Sequence, residues 1–447
     1  MPNVLTLKPD EIDTNEKRSK YSVSVVGCGR KGILYAYIFA GAGFKVTCLD
    51  ADPNVVKKLA KGKTPFEGQE FEVKIKGLID TGLLSVTGEL KKAISRSDVV
   101  IVTVPAKVDD KKKIDCSEVL SIIKQVGAAL HAGVMVAYGE VADLGFVEGD
   151  LKETLENTSG LKAGQDFILA YAPLHNAQVK RPVDPATDLE LNVAATGKIG
   201  QEETLNLVKT VMKNVKQIKD VKIAEITTLF NAAKHDIRTA LANEFAIFCE
   251  SAKIDYQEAL ESLEFNDPSF LPTIDDEENK NEAYLLLESA ENLNVQLKLP
   301  KLSRQINEQM VKYAVNLTQD ALRNCNKTLR RSRISLLGKV NPNTNAAVFL
   351  KLLLLKGAKV TLYNPVSKSD TPDLGVAKSS LNEAVEGVDC IVVLTGEEQF
   401  KRLNLRKLKA LTKTPAVIMD LAGTLEPKAV EAEGFIYRGL GREKDNK

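Results

Sequence analysis

Residues 21–50 read YSVSVVGCGRKGILYAYIFAGAGFKVTCLD, and this stretch decides the fold. YSVSVV is short, apolar and β-branched, the pattern of a buried strand. Gly27 to Gly32 follow as a complete G-x-G-x-x-G. ILYAYIFAGAGF then reads as a helix ending near Gly41 or Gly43. KVTCLD, at 45–50, is a second strand that closes on Asp50. Strand, glycine turn, helix and strand in this order make a βαβ unit.

Each glycine has its own task there. The first permits the tight turn, the second lets backbone approach a pyrophosphate, and the third allows the helix to pack closely. The helix N-terminus offers free N–H groups and positive potential to phosphates. Asp50, about 20 positions on, suits ribose hydroxyls and repels a 2′-phosphate, so NAD is expected rather than NADP. The candidate cofactor contacts are Gly27, Cys28, Gly29, Arg30, Lys31, Gly32, Asp50 and Pro105. Arg30 and Lys31 are unusual in such a turn and read either as phosphate contacts or as a solvated helix edge. The competing reading is a glycine turn in a Rossmann fold that holds no cofactor.

Outward from this unit the pattern repeats. DVVIVTVP (98–105), VMVAYG (134–139), FILAYAP (167–173) and NVAATG (192–197) are strand-like, with a helix near 117–130. Apolar strands alternating with helices predict a parallel, doubly wound sheet. A helix is predicted from Ile223 to Glu250, roughly 40 Å long. Its residues Ile226, Phe230, Ala233, Ile237, Leu241, Phe245 and Phe248 form one apolar stripe. Such a helix is a natural spine between domains and a dimer surface. Residues 266–282 are acidic and turn-rich, and a helical pair is expected over 283–324. RISLLG, VTLYNP, CIVVLTG and AVIMDLAG then start a second α/β block at Arg333, with NAAVFLKLLLLKG as its first helix. The expected class is α/β, with two Rossmann-like domains joined by a long central helix and a helical middle region. The expected division is a polar tail at 1–20, an NAD-binding domain at 21–210, a helical domain at 211–328 and a second Rossmann-like domain at 329–447.

The chain has 447 residues, with 61 basic against 60 acidic side chains. That balance gives no electrostatic case for nucleic acid or an anionic membrane. Cys28, Cys48, Cys116, Cys249, Cys325 and Cys390 stand singly, without the spacing of a zinc site or a disulfide framework. Reduced thiols suit a cytoplasmic protein. The first twenty residues lack the apolar stretch of a signal peptide. The most apolar window, VFLKLLLLKG, is too short to span a bilayer.

Taken together, these residues resemble the UDP-glucose/GDP-mannose dehydrogenases, nearest to the UDP-N-acetylmannosamine type. VVGCGRKG, Lys61 to Glu67, DVVIVTVP with Asp115, and SGLKAGQDFILAYAP (159–173) are similar to the family's first domain. Ala224-Glu225 and Ala242-Asn243-Glu244 bracket the spine helix at the family's spacing. Thr395 to Phe400, Asp420 and GFIYRGLGR look like its C-terminal domain. The resemblance implies NAD, a nucleotide sugar, a homodimer and a role in polysaccharide biosynthesis. It implies oxidation of a C6 alcohol to a carboxylate with two NAD per turnover. A cysteine holds the aldehyde and then a thioester, with a helix lysine and asparagine at the reacting oxygen.

At those positions this sequence departs. Between Pro272 and Tyr284, where the Gly-Gly-x-Cys loop belongs, the chain reads TIDDEENKNEA. The family's lysine falls on Thr228, its asparagine on Ala232 and its glutamate on Leu174. Tyr138-Gly139-Glu140-Val141 replaces the Ser-Thr-Val stretch. GKVNPNTNAA (338–347) shortens the sugar-nucleotide clamp, and an arginine falls on Ala422. Losing groups that act as a unit predicts loss of the four-electron reaction.

Some residues are available as substitutes. His175 follows the lost glutamate position, and its plainer reading is a loop histidine. Lys234, His235 and Asp236 sit one to two turns past Thr228, and a solvated stripe is their plainer reading. Cys249 reads as a core thiol, His131 as a helix cap and Asp275 to Glu278 as a solvated loop; no metal is expected. Three readings remain open: an NAD-binding pseudoenzyme that regulates or pairs with an active paralogue; an NAD-dependent oxidoreductase on a CH–OH group with a site rebuilt around His175 and Lys234; and a structural subunit.

Overall fold

The computed structural model describes residues 3–64, 69–109, 111–174, 189–262, 270–274, 279–340, 344–364 and 376–442. Two compact units emerge, Met1–Ala233 with Asn281–Gln296, and Lys234–Lys280 with Leu297–Lys447. The strands of the first are β1 Ser22–Val26, β2 Lys45–Leu49, β3 Leu84–Thr87, β4 Val99–Val102, β5 Lys107–Val108, β6 Ile114–Asp115, β7 Met135–Tyr138, β8 Ile168–Tyr171, β9 Glu190–Ala195 and β10 Asn214–Gln217. Those of the second are β11 Arg333–Leu337, β12 Lys359–Tyr363, β13 Val376–Ala377, β14 Cys390–Val393, β15 Val417–Asp420 and β16 Ile436–Gly439. The helices that matter below are α1 Arg30–Gly41, α2 Ser117–Gly127, α3 Lys198–Val211, α4 Val221–Ala252, α5 Asn279–Asn292 and α6 Lys298–Asn324.

In the first unit an eight-stranded sheet runs β10-β9-β8-β7-β4-β1-β2-β3. From β3 to β8 every pair is parallel. Helices cover both faces of such a sheet, so its strands read as continuous apolar runs. The VVIV of β4 is buried along its whole length. The all-parallel expectation needs one correction, because β9 pairs antiparallel with β8. β3 and β13 are short edge strands that the sequence did not reveal, since few residues there carry a strand pattern. In the second unit six strands run β13-β12-β11-β14-β15-β16, all parallel. Both sheets reverse their order of addition beside their first strand, the switch point where doubly wound folds bind ligands.

The expected polar tail is packed instead. Val4, Leu7 and Ile12 join the first unit's core, and the Val4 N–H donates to the Gly133 carbonyl at 2.9 Å. Apolar residues scattered singly among charges give no periodic signal, so their burial was not legible. Helical residues 211–328 are shared between the units, with 211–233 and 281–296 in the first and the rest in the second.

α4 extends the predicted spine at both ends. Of its apolar stripe, Phe230, Leu241, Phe245 and Phe248 are exposed, as is Ile223. The opposite face buries small and polar residues. In the second unit that face carries Asp236, which the sequence suggested was solvated. Asp236 is buried against α6, where it pairs with Arg304, accepts from Ser303 Oγ at 2.9 Å and from Asn307 Nδ2 at 3.0 Å. Lys234 is exposed and His235 half-buried. Among the described residues no helix is long and apolar enough to cross a membrane.

Candidate functional site

The carboxyl ends of β2, β1, β4, β7 and β8 stand in a row. Across them come Asp50, the turn Gly27–Gly32, Thr103 to Pro105, Glu140 and Leu174. The turn is built tightly. Gly27 has φ +98°, a left-handed conformation that suits glycine. A Cβ on Gly32 would lie 1.9 Å from the Gly27 carbonyl oxygen. Thr103 Oγ1 clasps that same oxygen at 2.9 Å. Gly29 is open, with nothing within 4 Å of a Cβ position, and it caps α1. This bare backbone at a helix N-terminus fits a dinucleotide pyrophosphate. Asp50 Oδ2 accepts the Cys28 N–H at 2.9 Å, which braces the turn. Pro105 is exposed beyond β4.

Cys28 is no nucleophile. A hydrogen bond with the Cys48 thiol, then burial, pushes its pKa far up. Arg30 is half-buried. Lys31 occupies no solvated edge. Its ammonium is buried, 2.7 Å from Glu140 Oε2 and 3.4 Å from Glu282 Oε1 of α5. Sequence reasoning missed this grouping. The available signal was a lysine among the buried apolar residues of α1, where a charge needs partners.

Leu174, Thr228 and Ala232, where the sequence departs from the family it resembles, carry no carboxyl, imidazole or amine. Leu174 and Thr228 are fully buried, and Ala232 nearly so. Thr228 Oγ1 donates back to the Ala224 carbonyl at 2.8 Å. His175 lies outside the described residues, as do Pro65 to Glu67 and Asp275 to Glu278. Asp115 stands just before α2 and accepts the Ser117 N–H at 2.9 Å. The ring nitrogens of His131 lie 2.9 Å and 3.0 Å from the carbonyl oxygens of Ala132 and Ser97. Cys249 is half-buried. In the second unit Asp420 ends β15 and accepts the N–H groups of Leu425 at 2.7 Å and Ala422 at 3.2 Å.

Glu225, on the first turns of α4, accepts the backbone N–H groups of Gly145 at 2.6 Å and Val147 at 2.9 Å. Burial nevertheless pushes its pKa up to about 7. A carboxyl whose folded pKa is raised binds its proton better in the folded chain. Its stability contribution is therefore present below about pH 4.5, the ordinary value, and is lost as pH rises to about 7. Glu225→Gln is expected to flatten this slope, by about 2–3 kcal/mol across the window. Denaturant midpoints at pH 5 and pH 8 would check it; equal slopes for both proteins would refute the assignment.

A bare glycine turn at a sheet's switch point, braced by an acid after the neighbouring strand, defines a dinucleotide-binding protein of the doubly wound class. Residues 21–182 match the NAD binding domain of the UDP-glucose/GDP-mannose dehydrogenase family, and residues 343–427 match its UDP binding domain. The chain belongs to that family, and its cofactor is NAD. It is 26% identical over 437 residues to the UDP-N-acetyl-D-mannosamine dehydrogenase of Pyrococcus horikoshii, covering 94% of this chain and 99% of that protein. The solved UDP-D-ManNAc dehydrogenase structure from that organism superposes with TM-score 0.77 at 25% identity, covering 94% and 99%. An NDP-N-acetyl-D-galactosaminuronic acid dehydrogenase from Methanosarcina mazei superposes with TM-score 0.70 at 26% identity, covering 96% and 98%.

Proposed function

We propose that this chain is an NAD-binding and nucleotide-sugar-binding member of its family that does not run the cysteine-dependent four-electron oxidation. The observation that carries the reading is the set of side chains at the reacting positions. Thr228, Ala232 and Leu174 are buried and offer neither base nor ammonium. The match of residues 343–427 to a UDP binding domain supports a nucleotide sugar as the second ligand. The relatives act on different sugars by name, so the sugar stays a class here. A cytoplasmic place in polysaccharide metabolism, alone or beside an active paralogue, fits six free cysteines. The exposed apolar stripe of α4 supports a homodimer, since such a strip in water is costly.

The test is NADH formation at 340 nm with NAD and a panel of UDP- and GDP-sugars, with NAD binding measured in parallel. Binding without NADH is the expected result, and the same preparation should sediment at twice the 48.8 kDa chain mass. Two NADH per sugar would overturn the reading. One per sugar would replace it with a two-electron alcohol oxidoreductase, in which Lys234 or His175 becomes the first residue to substitute.

A further inference from the structure

One side chain bridges the crevice beside the glycine turn. Lys31 is the second residue of α1, shortly after β1, and Glu140 stands just after β7. In the sheet β4 lies between those two strands. A contact from Lys31 to Glu140 therefore crosses the carboxyl end of β4. The Lys31 ammonium makes that contact, 2.7 Å from Glu140 Oε2. Glu282 of α5 completes the trio, with Oε1 3.4 Å from the same ammonium. Lys31, Glu140 and Glu282 are 5%, 7% and 4% exposed, so the bridge is covered as well as closed. The helix that covers it is fastened on both sides. Glu288 of α5 accepts the Ile114 N–H, beyond β4, at 2.8 Å. Ser289 Oγ accepts the Leu144 N–H, beyond β7, at 3.3 Å. The floor is full too. A Cβ on Gly139, at the end of β7, would lie 2.9 Å from the Tyr35 ring and 3.1 Å from Thr103 Cγ2.

A dinucleotide needs this place. In a doubly wound fold the glycine turn takes the pyrophosphate, and the acid after the second strand takes the adenosine ribose. The other nucleotide then lies across the switch point, which in this sheet is the side of β4 and β7. The bridge crosses that side, whereas Gly29 in the turn is open, with nothing among the described residues within 4 Å of a Cβ position. We propose that the Lys31–Glu140 contact is a latch over the nicotinamide half of the crevice: the ADP half of NAD docks with the latch shut, and the nicotinamide half is seated only when Lys31 swings away. Breaking a buried contact between charged groups is costly, so the shut form is the resting one. What the nicotinamide half adds to affinity is then cut by the fraction of molecules that stand open. The latch rests on reading the chain as an NAD-binding protein.

The experiment is calorimetric binding of NAD+, NADH and ADP to the full chain and its K31A, K31R and K31A/E140Q variants, each checked by thermal melting. In the unmodified chain NAD+ and ADP should bind within about threefold of one another, because the nicotinamide half must first open the latch. K31A removes the bridge and should raise the affinity for NAD+ relative to ADP by about tenfold, as for an open fraction of about one in ten. NADH should gain alongside NAD+, since a latch excludes the ring by bulk, whatever its charge. K31R keeps the reach and the bond to Glu140 and should keep the unmodified ratio. K31A/E140Q leaves no stranded Glu140 carboxyl and preserves the test where K31A alone fails to fold. A ratio of NAD+ to ADP affinity that a folded K31A or K31A/E140Q leaves unchanged overturns the latch. So does a gain confined to NAD+, which would mark charge repulsion by the lysine. A preference of about tenfold or more for NAD+ over ADP in the unmodified chain overturns it as well. Should the unmodified chain and its variants bind none of the three, the NAD-binding reading itself falls.

Discussion

Asp236→Ala is expected to destabilise the second unit by about 3–5 kcal/mol, the range for breaking a buried ion pair from one side. Asp236 and Arg304 are each 2% exposed, so neither can turn to water when its partner goes. The carboxylate is also the acceptor for Ser303 and Asn307. Its removal leaves a guanidinium, a hydroxyl and an amide facing one small cavity. Asn307 would keep its bonds to the Asp236 backbone carbonyl at 3.0 Å and to the Asn243 amide, two turns further along α4, so α4 and α6 would still be tied. Asp236→Asn, which keeps shape and an acceptor, should cost less than alanine. Urea unfolding would measure both. A loss below about 1 kcal/mol for alanine would mean that the network is solvated in solution.

Gly32→Ala is expected to weaken NAD binding by about 100-fold, or about 2.7 kcal/mol, and to lower the melting temperature. The added carbon would meet the Gly27 oxygen at 1.9 Å and Thr103 Oγ1 at 2.7 Å. That oxygen is backbone, and Thr103 holds it, so α1 must lift from the turn. Gly29→Ala separates the two effects. Its Cβ meets nothing in the protein but stands where a pyrophosphate would approach. It should spare stability while still impairing NAD. Calorimetry with thermal melts reads both, and an unchanged NAD affinity in Gly32→Ala would refute the turn as the phosphate site.

The turn and its strands were legible because the information is local. A strand, three spaced glycines and an acid after the next strand lie within one stretch of chain. The same holds for β11, β12, β14 and β15 of the second unit. What escaped was set by partners far off in sequence. Lys31 looks like a helix edge until Glu140 and Glu282 close over it, and Asp236 looks solvated until α6 supplies Arg304. On α4 the periodicity was right and its meaning was open. An apolar stripe marks a face that avoids water, but the buried face is made of small and polar residues such as Ala232, Thr228 and Asn243. Val4, Leu7 and Ile12 carried no pattern at all, because three separated residues cannot make one.

The Lys31 trio also has an order of arrival during synthesis. Glu140 lies 109 positions after the lysine and Glu282 lies 251 positions after it. At about 5–20 residues per second, the ribosome delivers the second carboxylate about 10–50 s after the lysine. By then the turn, α1 and all ten strands of the first unit have been made, along with residues 234–280 of the other unit. Synthesis therefore offers Lys31 one carboxylate early and the other only late. A chain that stopped short of Glu282 would own the whole glycine turn and leave the ammonium beside it with one carboxylate fewer.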